Sequence, residues 1–354
     1  MVKIAAYAIA KNESKHVKQW AETTKGADVR IVLDTGSEDN TYDLLLQYPI
    51  EAHRATLSDF RFDVARNMAL DLVPSDVDVC VVLDMDELLA PDFFDKIRQA
   101  WQPDTTRAWV MWDTGNIWAT NNRAHARHGY RWKYPCHEVI TPDGKENIII
   151  LDALGIHKPD NSKPRSSYLP LLELGHQEDP TDHRMIVYLA REYYFKGMWQ
   201  ELINVGKKLQ HIPGWNVERA QTWRGIGQAY CNLGNDLEGL HWLQLGVEEA
   251  PNDLEAWFPL AFYYYERKMW NHCYQSAIKV TELTNESYNH YVADQSMPWR
   301  MYDLLSLACW NLGKKGSAKK YARKAVDLNP TDERLIKNYE FIMTQTVKDY
   351  KNGL

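Results

Sequence analysis

Short apolar runs broken by polar, turn-forming stretches set the pattern of the first half of the chain. Val2–Ala10, Val29–Leu33, Val79–Leu83, Arg107–Asp113 and a segment opening at Ile148–Leu151 are too brief for buried helices. They read as strands, and the Val-rich run at 79–83 as one buried on both faces of a parallel-type sheet. Helical spacing returns between them: Val17, Trp20 and Ala21, then Leu44 and Leu45, then Phe60, Val64, Met68 and Leu72. This last set recurs every four residues and is predicted to face the sheet. Asp63, Arg66, Asn67 and Leu70 lie on a neighbouring stripe, from which Arg66 can reach a phosphate or a carboxylate. Asn12 or Ser14 is placed to cap the first helix, and Ser37 or Asp39 the second, with Gly36 permitting the turn ahead of it. Strand and helix in alternation predict an α/β domain over residues 1–167.

From Tyr168 the strand signals stop and helical spacing rich in Trp and Tyr takes over. Leu189-Ala190-x-x-Tyr193, Ile226-Gly227-x-x-Tyr230 and Leu260-Ala261-x-x-Tyr264 share one pattern, which Leu305-Ser306-x-x-Cys309 follows loosely. Trp223 and Trp257 are 34 residues apart, and Trp-x-x-Leu-Gly-x-x-Tyr at that period is the tetratricopeptide signature. Ala190, Gly227, Ala261 and Ser306 are small enough for paired helices to approach closely, and Pro251 and Pro330 close units. Four imperfect tetratricopeptide-like units are therefore expected over 168–354. Such arrays offer a concave surface to a peptide or another subunit, although they can simply buttress a neighbouring domain. Tyr263, Tyr264, Tyr265 and Trp299 are candidates to line that surface.

The chain has 354 residues, enough for two domains. Its 41 basic against 48 acidic residues, with no basic tract recognised, argue against a nucleic-acid partner. No apolar stretch is long enough to cross a membrane, and Met1-Val2-Lys3-Ile4 has no signal-peptide pattern. Five dispersed cysteines form neither a zinc spacing nor a disulfide framework, which points to a reducing, cytoplasmic setting.

The strands share a second property: they end in acids. Asp34 closes one, Asp113 another, and Val79–Leu83 runs into Asp84-Met85-Asp86-Glu87. In open α/β sheets, ligands bind outside the carboxyl ends of the strands. Two carboxylates at the spacing of Asp84 and Asp86 suit Mg²⁺ or Mn²⁺ together with substrate phosphates, although an isolated Asp-x-Asp is equally a solvated turn. No Gly-x-Gly-x-x-Gly is present, so a dinucleotide site is poorly supported.

Four blocks in order carry a resemblance: Ala8-Ile9-Ala10-Lys11-Asn12-Glu13, Leu33-Asp34-Thr35-Gly36-Ser37-Glu38-Asp39-Asn40-Thr41, Ala65-Arg66-Asn67 and Leu83-Asp84-Met85-Asp86-Glu87. Together they resemble glycosyltransferase family 2. The resemblance implies a GT-A fold, a mixed and mostly parallel sheet flanked by helices, and a nucleoside-diphosphate sugar as donor. The end of the first strand (Ala8, Asn12, Glu13) and Asp34 would read base and ribose. Ser37, Asp39, Arg66, Asn67 and Asp84 join that donor-binding set. Asp86 would be a direct metal ligand, with Asp84 near the ribose or the metal.

Later residues fill the remaining roles. Pro135-Cys136-His137-Glu138 resembles a His-Glu pair near the family's active site, so Glu138 is the first choice of base and Asp113 the alternative. His157 sits where the resemblance places a late metal ligand, with His137 as competitor. Imidazole would tilt the preference from Mg²⁺ toward Mn²⁺. Lys158, Lys163 and Arg165 lie in a stretch suited to a loop over the diphosphate. Trp118, His125, Arg127, His128, Tyr130, Arg131, Trp132 and Tyr134 form either a packed irregular segment or a stacking face for a sugar. The resulting expectation is a metal-dependent inverting glycosyltransferase acting on a polypeptide or glycan, with the repeats contacting a protein partner or a second copy. A non-catalytic sugar-nucleotide-binding scaffold and a nucleotidyltransferase are the alternatives.

Overall fold

The structure, a computed structural model, describes residues 2–113, 118–157, 168–283 and 297–352. The chain divides into two compact units, Met1–Gly175 and His176–Leu354.

The first unit opens with β1 (Ile4–Ala10), α1 (Val17–Thr23), β2 (Val29–Asp34), α2 (Thr41–Leu45), β3 (Glu51–Arg54), α3 (Phe62–Asp71) and β4 (Val79–Val82). It continues with β5 (Glu87–Leu89), α4 (Phe93–Ala100), β6 (Arg107–Asp113), β7 (Trp118–Ala126), β8 (Tyr130–Lys133), β9 (Val139–Pro142), β10 (Ile148–His157) and α5 (Leu169–Glu178), whose last turn passes into the second unit. Eight strands form one sheet in the order β3-β2-β1-β4-β7-β6-β10-β5. β1 runs parallel to β2 and β4, β2 to β3, and β6 to β10, while β7 and the edge strand β5 run antiparallel to their neighbours.

Alternation along β1 splits the core. Ile4, Ala6, Ala8 and Ala10 face a layer with Trp20, Leu45, Phe93 and Ile97, whereas Ala5 and Tyr7 face Ala69, Leu70, Trp132 and Ile140. Helices α1, α2 and α4 thus cover one face, and α3 with the β8–β9 hairpin covers the other. Both faces of the central strands are dry, which is why their sequences are continuous apolar runs.

Three expectations are corrected here. Helix α3 buries Ala65, Arg66, Ala69 and Leu70 and leaves Val64 and Met68 exposed, so the four-residue apolar stripe is not its inner face. Small alanines let the helix lie close to the sheet, and Arg66 turns inward to meet carboxylates. Neither Asn12 nor Ser14 caps α1, and Ser37 does not cap α2. Asp39 meets α2 at its first residue, accepting from the Thr41 backbone N–H at 3.0 Å. The stretch from Trp118 to Tyr134 is not irregular: it forms β7 and β8, with His125, Tyr130 and Trp132 buried.

The second unit is helical: α6 (His183–Phe195), α7 (Trp199–Gly206), a 3-10 turn at Lys207–His211, α8 (Asn216–Asn232), α9 (Asp236–Glu249), α10 (Leu254–Glu266), α11 (Trp270–Glu282), α12 (Met297–Asn311), α13 (Lys315–Leu328) and α14 (Glu333–Asn352). Four helix pairs, α6–α7 to α12–α13, occupy the positions of the four expected units. At Gly227 an added Cβ would lie 2.8 Å from Leu243 and 2.9 Å from the Gly239 carbonyl, so the small residue is what lets α8 and α9 touch. The 3-10 turn accounts for the long spacing from Ala190 to Gly227.

Candidate functional site

Strands β1, β2, β3, β4, β6 and β10 all deliver their carboxyl ends to one edge of the sheet. The strand order reverses at β1, with β2 and β3 on one side and β4 on the other, so this edge holds a topological switch point. Ala10 pairs with Asp34 and Tyr7 with Val82, which sets Asp34 and Asp84 on either side of the end of β1. Two inter-strand steps separate them, about 10 Å.

On the β2 side the loops after β1 and β2 are laced together. Ser37 Oγ accepts from the Asn12 backbone N–H at 2.8 Å, and Asn12 Oδ1 accepts from Glu38 N–H at 2.8 Å. Thr41 Oγ1 accepts from Glu13 N–H at 2.7 Å, and Asp39 from Ser14 N–H at 3.2 Å. Asn12 and Gly36 both take positive φ, 56° and 103°, so the chain reverses tightly at both loops. Hydroxyl donors and backbone amides hold the Asp39 carboxyl down to about 2 despite partial burial. Asn12, Glu13, Ser37 and Asp39 therefore form the wall of this corner.

Asp34 is its floor. The side chain is fully buried, and its Oδ1 accepts from Gly36 N–H at 3.0 Å, Ser37 N–H at 2.9 Å and Arg54 Nε at 3.3 Å. Its Oδ2 is buried with no hydrogen-bond partner among the described residues. Ala8, expected at the donor, is wholly buried in the core on β1, and the structure does not bring it to the site.

On the β4 side charges alternate. Arg66, buried against the Trp132 ring at 5.0 Å, donates to Asp84 at 2.8 Å and to Glu138 at 2.5 Å. Arg123 on β7 approaches the other Asp84 oxygen at 3.7 Å and pairs with Glu87, whose second oxygen accepts from Asp84 N–H at 2.8 Å. Burial pushes the Asp84 carboxyl up, but the two guanidinium groups outweigh it and hold it below the usual range. Asn67, expected at the donor, has its amide engaged elsewhere. It exchanges two 2.9 Å hydrogen bonds with the backbone of Trp132 and pins β8 to α3.

Beyond Asp84, Asp86 Oδ2 and His157 Nε2 lie 3.3 Å apart. The hydrogen bond to Asp86 raises the imidazole pKa. Two neighbouring ligands of an octahedral ion at about 2.1 Å stand roughly 3 Å apart, so the pair fits one Mg²⁺ or Mn²⁺. Among the described residues, no group of three His, Cys, Asp or Glu side chains is arranged to hold a metal. Asp84, expected as a further ligand, is occupied by its arginines. Asp113 ends β6, its backbone paired with Ile156 next to His157. His137, the competing ligand, has φ 51° and lies instead against the Tyr168 ring, tilted to it with the centroids 5.6 Å apart. Phe60, Phe62, Tyr168 and His137 make a partly exposed aromatic row. Lys158, Lys163 and Arg165 lie outside the described residues.

Arg123 escaped the sequence reading, and Glu87 was read only as one of the acids at the end of its strand, with no role assigned. Strand alternation around Arg123-Ala124-His125 would have found the first. The turn that folds Glu87 back onto Asp84 N–H has no sequence signal.

In the helical unit a groove of about 540 Å³ opens between α6, α8, α10 and α12, lined by Arg191, Tyr194, Phe195, Arg224, Glu255 and Arg300, among others. A second cavity of about 360 Å³ shares Phe258 and Arg300 with it and includes Tyr265 and Trp299. Tyr263 and Tyr264 are buried in the core and line neither.

None of the curated proteins matches the chain. Among solved structures, MamA is 17% identical, covering 46% of this chain and 86% of its own, with a TM-score of 0.38. YrrB, a TPR protein with an unusual peptide-binding site, is 18% identical over 47% and 78%, with a TM-score of 0.36. The N-terminal domain of stress-induced protein-1 from C. elegans is 16% identical over 37% and 99%, with a TM-score of 0.33. Residues 300–332, spanning most of α12 and all of α13, match the tetratricopeptide repeat family, and the helical unit carries repeats of that type.

Proposed function

We propose that the first unit is a GT-A-type glycosyltransferase domain that takes a nucleoside-diphosphate sugar as donor. The observation that carries this reading is Asp34: a fully buried carboxylate with one oxygen unpartnered, at the switch point of a mostly parallel sheet. A buried acceptor left unmade is costly, and an N–H or hydroxyl of a nucleoside would satisfy it. The distance of about 10 Å from there to Asp84 is on the scale of a nucleoside with its first phosphate.

Each residue then has a task. Asp34 orients the nucleoside within the wall of Asn12, Glu13, Ser37 and Asp39. Asp86 and His157 would hold Mg²⁺ or Mn²⁺, which would supply positive charge to offset that of the departing diphosphate. Asp84, fixed between Arg66 and Arg123, lies toward the ribose of the donor. Glu138, positioned by Arg66, accepts the proton of the acceptor hydroxyl, with Asp113 as the alternative. The aromatic row from Phe60 to His137 offers rings for a sugar to stack on. The groove of the helical unit supports a polypeptide as acceptor or partner.

The test is thermal stability against nucleoside diphosphates and their sugars, with and without Mn²⁺. Ligands that bind the folded state alone raise the melting temperature. A shift with one nucleotide, lost in Asp34→Asn and reduced in Asp86→Ala, is expected. No shift with any of them removes the donor site, a shift without turnover leaves the non-catalytic sugar-nucleotide-binding scaffold, and release of free pyrophosphate on turnover would indicate nucleotidyl transfer.

A further inference from the structure

The acidic balance of the whole chain conceals one basic tract. Between Lys314 and Glu340 there are eight Lys and Arg residues against four Asp and Glu. Six of the cations crowd onto α13 and the residue before it: Lys314, Lys315, Lys319, Lys320, Arg323 and Lys324. The inner face of α13 is plain, with Ala318, Ala322 and Ala325 buried. Its outer face exposes five of those six cations, Lys315 being half-buried. One carboxylate of the helix answers them, Asp327, which pairs with Arg323 at 2.8 Å.

A second observation lies beside this face. Phe341 of α14 is 53% exposed and stands edge-on to Trp310 at 5.6 Å, while the Lys315 ammonium sits 4.8 Å above the same indole. Leu328, at the end of α13, is 54% exposed. Large apolar side chains set against a cluster of cations are costly in water and favourable at a lipid headgroup layer. There the ring enters the acyl boundary and the ammonium groups meet phosphate and carboxylate. Among the described residues no helix is long and apolar enough to cross a membrane.

We propose that the α13–α14 face docks on an anionic phospholipid surface, with Lys319 and Lys320 meeting the headgroups and Phe341 inserting between them. A soluble acidic protein or a nucleic acid could meet the same charges and the same ring, and binding to either of these with none to anionic vesicles would overturn the lipid assignment.

The experiment is co-sedimentation of the full chain with vesicles of phosphatidylcholine alone and with about 30% phosphatidylserine. Binding to the anionic vesicles, absent with the neutral ones and lost on raising salt from about 0.1 M to about 0.5 M, is expected. Each lysine at such a surface is worth about five-fold in partitioning, so K319Q/K320Q should weaken binding about 25-fold. Phe341→Ser should weaken it several-fold while keeping its salt dependence. Both changes are at exposed positions, and unaltered melting temperatures establish that the variants are folded. No binding to anionic vesicles, equal binding to neutral ones, or indifference to K319Q/K320Q overturns the proposal. So does a Phe341→Ser variant that binds like the parent, since the face would then be a general anion-binding surface.

Discussion

Arg66 Nη2 lies 2.8 Å from Asp84 Oδ1, and Nε of the same guanidinium holds Glu138. One side chain from the middle of α3 therefore joins the end of β4 to the loop before β9. Burial of the Arg66 side chain to 8% exposure means that its charge is compensated by these partners and not by water. Removing one partner of a buried ion pair costs about 3–5 kcal/mol because the other charge is left behind. Arg66→Ala should therefore destabilise the first unit by about 3 kcal/mol or more, measured by urea unfolding. Arg66→Lys should fall in between, since an ammonium cannot make both forked contacts. A loss under about 0.5 kcal/mol for the alanine variant would mean that the pairs contribute nothing net.

Asp86 differs from Asp84 in having no arginine partner among the described residues and in facing His157. Asp86→Ala should abolish metal-stimulated sugar transfer while changing stability by no more than about 0.5 kcal/mol. Turnover assays with and without Mn²⁺, set beside melting curves, check both halves. Full activity in a folded variant would remove the metal role of the Asp86–His157 pair.

His125 lies beneath the site in a buried chain of contacts. Trp132 Nε1 donates to Tyr7 Oη at 2.9 Å, Tyr7 Oη contacts His125 Nε2 at 2.9 Å, and His125 Nδ1 contacts the Ala126 carbonyl at 2.8 Å. Burial, with Arg107 and Arg127 nearby, pushes the imidazole down to about 4. In the unfolded chain it titrates near 6.5, so between these values the unfolded state binds a proton that the native state refuses. The resulting stability is fully present above pH 6.5 and is lost as pH falls toward 4, by about 3 kcal/mol in all. Unfolding free energies across that range, for the parent and for His125→Gln, should show the slope reduced in the variant. Equal slopes would contradict the assignment.

Gly155 on β10 lies beside Trp112 on β6, and an added Cβ would overlap the indole ring. Gly155→Ala should cost about 2 kcal/mol or more through overpacking and should also disturb His157 two residues on. A melting temperature equal to that of the parent would show that the ring can move aside.

Gly227→Ala tests the helical unit in the same way. The new methyl would meet the Gly239 carbonyl, which is backbone and cannot rotate away. A loss of about 1–3 kcal/mol in the helical transition followed by circular dichroism is expected. An unchanged transition would mean that α8 and α9 have slack between them.

The sequence by itself determined the central strands and the helical repeats. Continuous apolar runs in β1, β2 and β4 announced strands buried on both faces, because no polar residue can sit there without losing water. A 34-residue recurrence of Trp and Tyr announced helix pairs, because each pair needs its neighbour to bury its apolar face. Acids at strand ends marked the edge where Asp34, Asp84, Asp86 and Asp113 emerge. What only the tertiary structure decided is how those acids differ. Asp34 ends with a buried oxygen unmet, Asp84 is gripped by two arginines and Asp86 is set against His157. These distinctions depend on Arg66 and Arg123 arriving from α3 and β7, and on β10 crossing to the far side of β6. Contacts between residues tens of positions apart leave no periodicity in the chain. For the same reason the inner face of α3 was misjudged: apolar spacing marks which side chains avoid water, whereas Arg66 is drawn inward by carboxylates that the helix itself does not carry.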